Sequence, residues 1–77
     1  MYTDIQEERI IQATQNIIKA DFKDSNTVPA QVLHMRLLQY YGSFTIGRNT
    51  YYKIVRRHFK TVTKGSLLHV IVRQKKK

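Results

Sequence analysis

The 77-residue chain has no cysteine, and after Asp24 it has no carboxylate side chain. The first absence removes disulfides and thiolate metal sites as staples for a small core, since a chain of this size buries only about 60% of the surface its unfolded form exposes. The second leaves eleven lysines and arginines with no acid among them over residues 25–77: Arg36, Arg48, Lys53, Arg56, Arg57, Lys60, Lys64, Arg73, Lys75, Lys76 and Lys77. All five acids, Asp4, Glu7, Glu8, Asp21 and Asp24, fall in the first 24 residues beside Arg9, Lys19 and Lys23. A compact domain that positive repels itself, and a polyanion whose phosphates replace the missing acids is the usual compensation, so nucleic acid is the first candidate partner.

Other absences narrow the class further. No stretch approaches the roughly 20 apolar residues of a membrane span, and the acidic N-terminus lacks the basic start and apolar run of a secretion signal. The expected compartment is the cytoplasm, with no membrane partner. No glycine-rich phosphate loop, cysteine nucleophile or acid outside the N-terminal third is available for catalysis, so neither an enzyme nor a cofactor is expected. His34, His58 and His69 lie 24 and 11 residues apart on three different elements with no close acid or cysteine, which argues against a metal site. There is no internal repeat or low-complexity linker, and residues 1–77 read as a single domain.

What is present is strongly periodic. Thr3 and Gln6 have capping-box spacing and open a first helix over residues 4–21, whose inward arc is Ile10, Ile11, Thr14, Ile17 and Ile18. Asp24-Ser25-Asn26-Thr27 breaks the pattern, and Pro29 suits the first turn of a second helix over residues 29–40. Val32, Leu33, Leu37 and Leu38, with Tyr41, form its apolar side, and Gly42 is placed to end it in the left-handed conformation. A bend or brief extended piece around Phe44 to Ile46 follows. A third helix over residues 48–59 puts Tyr51, Ile54, Val55, His58 and Phe59 inside, and Arg48, Asn49, Tyr52, Lys53, Arg56, Arg57 and Lys60 outside. Beyond Phe59 the period becomes two, with Val62 on a short arm and Leu68, Val70 and Val72 on a longer one across Lys64-Gly65-Ser66. This predicts a β-hairpin over residues 61–73 and a basic tail at 74–77, giving an α+β fold.

Helix, helix, tight turn, basic helix and hairpin, in that order, resemble the winged helix-turn-helix superfamily over most of the chain. The sharpest part is Thr45-Ile46-Gly47-Arg48-Asn49-Thr50-Tyr51-Tyr52-Lys53-Ile54-Val55-Arg56-Arg57, which looks like the start of a recognition helix. Gly47 stands where Ser or Thr is the commoner cap, and Leu38 stands four places before Gly42 where a small residue is usual, so the turn departs from the short standard version. The resemblance implies double-stranded DNA as partner, with Arg48, Asn49 and Tyr52 reading bases in the major groove. Lys53, Arg56, Arg57 and Lys60 would contact phosphates, joined by Ser43 and Thr45 near the helix start, by Lys64 at the wing tip, and by the tail lysines Lys75, Lys76 and Lys77. A transcriptional regulator, or an accessory factor for replication or recombination, is the function implied; a mobile element or another prokaryotic, viral or plasmid source fits its size.

Two other functions stay open on the sequence: an adaptor that docks an acidic protein in a replication or transcription complex, and a single-stranded nucleic-acid binder. Stacking of unpaired bases would use Tyr40, Tyr41, Tyr51 and Tyr52, but Tyr51 and one of Tyr40 or Tyr41 fall on inward arcs and only Tyr52 points outward. The acidic first helix, with Tyr2 and Ile5 off its apolar stripe, either covers the core edge or forms a homodimer contact.

Overall fold

The computed structural model describes residues 3–42 and 45–72. Its elements are α1 (Asp4–Asp21), β1 (Thr27–Pro29), α2 (Ala30–Tyr40), α3 (Arg48–His58), β2 (Thr61–Lys64) and β3 (Leu67–Ile71). The three strands form one antiparallel sheet in the order β1-β3-β2, so the fold is α+β, three helices and a small sheet, with α2 the helix that packs most on the sheet. Among the described residues no helix is long and apolar enough to cross a membrane.

The capping box forms as the sequence implies: the Thr3 amide donates to Gln6 Oε1 at 2.9 Å, and the Gln6 amide donates to Thr3 Oγ1 at 3.2 Å. Ile10, Ile11, Ala13, Thr14 and Ile17 of α1 are buried. Leu33 and Leu37 of α2, Tyr51, Ile54 and Val55 of α3, and Val28 and Val70 of the sheet complete a single core.

β1 has no counterpart among the elements expected from the sequence. It is three residues long and ends in proline, and its only regular features are its pairings Thr27 with Ile71, Val28 with Val70 and Pro29 with His69. Proline is tolerated there because β1 is an edge strand and loses no ladder bond. Pro29 is also the N-cap residue of α2, with φ −59° and ψ 133°, so it ends the strand and precedes the helix instead of occupying its first turn. Short as it is, β1 ties the start of α2 to the hairpin.

Four finer expectations are corrected. Gly42 is not left-handed: α2 ends with Tyr41 at φ −124°, whose amide donates to the Leu37 carbonyl, and among the described residues only Gly65 has a positive φ, 63°. Leu38 is 37% exposed because Leu33 and Leu37 already define the core line of α2. His58 turns outward to Glu7 on α1. Val62 faces away from the core because its partner across the hairpin is His69; Thr61, opposite the buried Val70, takes the inner position. The hairpin turn itself is Gly65-Ser66, with glycine first, as two-residue type II′ turns require. Phe44 lies outside the described residues; residues 45–47 are irregular, and Ile46 is buried.

One polar pair crosses the core. Thr14 Oγ1 lies 2.9 Å from the Ile10 carbonyl and 2.7 Å from the Tyr51 hydroxyl, both side chains being fully buried. The threonine has one proton and gives it to the carbonyl, so the phenol is the donor to Thr14. Burial pushes the Tyr51 phenol up to about 12, which keeps it a neutral donor at physiological pH. Thr14→Val, which strands that donor, should cost about 1–3 kcal/mol, and Tyr51→Phe about 1 kcal/mol. In urea unfolding the double variant should lose less than the two single losses together, because neither partner is then left unsatisfied.

Candidate nucleic-acid interface

With Tyr51, Ile54 and Val55 packed inward, the opposite side of α3 is fixed. Asn49, Lys53 and Arg56, spaced one helical turn apart, form an exposed line along it. Lys60 continues the basic surface just past the helix end. Among the described residues no acid pairs with Arg48, Lys53, Arg56 or Lys60.

The start of α3 opens onto a 300 Å³ groove shared with the hairpin, whose lining includes Arg48, Asn49 and Tyr52 from α3, Ser66 and Leu67 from the hairpin, and Gln31 from the first turn of α2. α3 begins here without a side-chain cap, so its first amides have no side-chain acceptor and the positive end of its dipole faces the groove. The groove combines forked donors, uncapped amides and an exposed apolar residue, Leu67, which is 51% exposed at the hairpin tip.

The structure brings the three expected base-reading residues, Arg48, Asn49 and Tyr52, to one place. Tyr52 is half-buried against the core, however, and offers only part of its ring, unlike the outward residue expected. Thr45 is exposed just before the helix and is already engaged by another contact. Lys64 is exposed beside the hairpin turn, its ammonium 3.4 Å from the Thr27 hydroxyl. Ser43, Lys75, Lys76 and Lys77 lie outside the described residues.

Arg57 is diverted from this face. Its Nη1 donates to both oxygens of Glu7, at 2.9 and 3.1 Å, and His58 Nε2 donates to the same carboxylate at 3.2 Å. Arg36 is likewise used internally: it pairs with Asp21 at 2.6 Å, lies 4.9 Å over the Phe22 ring, and shares Asp21 with the Tyr40 hydroxyl. The remaining histidines are also occupied. His34 Nε2 donates to the Ile46 carbonyl at 2.8 Å, holding the segment before α3, and His69 Nδ1 donates to the Leu67 carbonyl at 3.2 Å. Among the described residues no three His, Cys, Asp or Glu side chains are grouped to hold a metal ion.

Sequence reasoning did not find Gln31, Ser66 or Leu67 as groove residues. Gln31 comes there through the packing of α2 on α3, and Ser66 and Leu67 through the sheet that β1 joins to the start of α2, and a three-residue strand ending in proline carries no periodic signal. Comparison of the chain with protein-family models, curated protein sequences and solved structures finds no match.

The hydrogen bond from His58, followed by the charge of Arg57, holds the Glu7 carboxyl below its ordinary value of 4.5. A depressed pKa contributes stability that is present above 4.5 and lost as pH falls through the lowered value. The melting temperature of Glu7→Gln should therefore lie below that of the wild type above pH 4.5, and the gap should close in more acid buffer. A gap independent of pH across that range would contradict the assignment.

Proposed function

We propose that this chain is a winged helix-turn-helix protein that binds double-stranded DNA, with α3 as the recognition helix and the β2–β3 hairpin as the wing. The observation that carries the reading is the exposed line Asn49, Lys53 and Arg56, unpaired by any acid among the described residues, beside a groove that adds Arg48 and the hairpin tip. A helix about 10–12 Å across fits a major groove about 12 Å wide. The helix order and the antiparallel sheet support the superfamily reading, since a hairpin following the third helix is where a wing belongs.

Roles follow from position and chemistry. Arg48 and Asn49, at the entering end of α3, are suited to forked contacts on guanine and adenine edges, and Tyr52 lends apolar contact from the groove wall. Lys53, Arg56 and Lys60 are placed farther along and clasp phosphates, while Lys64 reaches the backbone from the wing. The Gln31 side chain and the uncapped first turn of α3 offer amide donors to a phosphate at the groove mouth. Such a protein would act as a transcriptional regulator or as an accessory factor in replication or recombination.

The binding constant for duplex DNA should fall steeply with salt, log K against log[salt] having a slope near −0.9 per phosphate neutralised. Arg56→Ala should lower affinity for all sequences alike and make the slope shallower by about 1. Asn49→Ala should instead relax base preference at one position, by about 1–3 kcal/mol, in a selection from random duplexes. Salt-insensitive binding, or uniform losses for both variants, would contradict the division of roles.

A further inference from the structure

We infer that the groove between α1, the end of α3 and the end of β3 is a binding site for a small organic anion with an apolar body, of the fatty or aromatic carboxylate kind. The groove holds 610 Å³, within the range of about 300–1,000 Å³ common to small-molecule sites. Its floor is apolar and comes from three parts of the fold: Ile18 of α1, Phe59 at the end of α3, and Ile71 and Val72 at the end of β3. All four side chains are half-buried. Ile18, Phe59 and Val72 rest against the core on one side, so the core holds the floor in place and leaves its other side open to a ligand.

The rim is basic. Lys19 on α1 and Lys60 just past α3 are both exposed at the groove, with Gln15 one helical turn before Lys19 and His58 next to Phe59. No acid is among the lining residues. The carboxylates of α1 lie elsewhere: Asp21 is bound to Arg36, Glu7 to Arg57 and His58, and Glu8 and Asp4 stand at least about 10 Å nearer the helix start than Gln15. An apolar body laid on the floor removes the four side chains from water, while its carboxylate accepts from Lys19, Lys60 and the Gln15 amide. A cation with the same body meets two ammonium groups instead. No segment of residues 1–77 supplies this occupant. Arg73-Gln74-Lys75-Lys76-Lys77 follow Val72 in the sequence but have no apolar side chain and share the sign of the rim. Met1 and Tyr2 join α1 at its other end, about 22 Å from Ile18 and farther than two residues span. Ser43 and Phe44 join the segment before α3, whereas the groove lies at its end.

The inference is independent of DNA binding and is tested without nucleic acid. The probe is anilinonaphthalene sulfonate, an aromatic anion that fluoresces on leaving water. At the efficiency usual for drug-sized ligands it should bind the folded chain saturably, with a dissociation constant of roughly 10–100 µM. Dodecanoate, kept below its micelle concentration, should displace it, whereas dodecyltrimethylammonium, the same apolar chain with a cationic head, should not. The double variant Lys19→Gln/Lys60→Gln should raise the probe's dissociation constant about fivefold while circular dichroism shows the fold intact. Lys53→Gln/Arg56→Gln removes the same charge from the outer face of α3, away from the groove, and should change it by less than about twofold at physiological salt. Amide shifts of the ¹⁵N-labelled chain on adding dodecanoate should centre on Ile18, Lys19, Phe59, Lys60, Ile71 and Val72. Absence of saturable binding would overturn the inference, as would equal displacement by the cationic amphiphile or equal losses from the two pairs of substitutions.

Discussion

The burial of Tyr51 decides which way α3 faces, and that rotation decides which of its residues are left to solvent. Its phenol donates to Thr14 on α1, and its ring lies 5.4 Å, centroid to centroid, from the His34 ring on α2. Held from both neighbouring helices, α3 cannot turn without exposing a large aromatic side chain and stranding a buried donor. Ile54 and Val55 follow Tyr51 inward, and Asn49, Lys53 and Arg56 are left outside. His34 adds a second restraint by holding the Ile46 carbonyl, which fixes the chain just before the helix begins.

Two of the five acids of the N-terminal third are spent on internal ties. Asp21 secures Arg36 and Tyr40 between α1 and α2, and Glu7 secures Arg57 and His58 between α1 and α3. Both carboxyls are held below their ordinary values by these partners, the Tyr40 hydroxyl first for Asp21 and His58 first for Glu7. Two cations are thereby drawn back onto the body of the protein. With a formal net charge of +9 the chain still carries a strong positive field, and among the described residues Arg48, Lys53, Arg56 and Lys60, on and just after α3, have no acid partner.

The helices were legible because each carries its own signal: the Thr3 to Gln6 box, the isoleucine stripe of α1, and the separation of aliphatic from basic residues along α3. The hairpin was legible from Gly65 and the change of period. What escaped was set by pairings between distant residues. β1 exists only through its register with β3, Val62 faces outward because it stands opposite His69, and Pro29 reads as a helix start until its role as a strand end is seen. Long-range strand pairing and helix packing likewise bring Gln31, Ser66 and Leu67 to the candidate site. His58 fell on the inward arc of the wheel, yet Glu7 draws it outward, which no reading of α3 by itself contains.

In the proposed function the outer line of α3 and the adjoining hairpin groove form one surface for duplex DNA. Amide chemical-shift mapping of the ¹⁵N-labelled chain on adding a duplex selected for binding tests it most directly. Shifts should concentrate at Gln31, Arg48, Asn49, Lys53 and Arg56 and at Gly65 to Leu67, with the outer face of α1 from Glu8 to Asn16 little changed. Shifts confined to α1, or spread without preference over the whole surface, would contradict it.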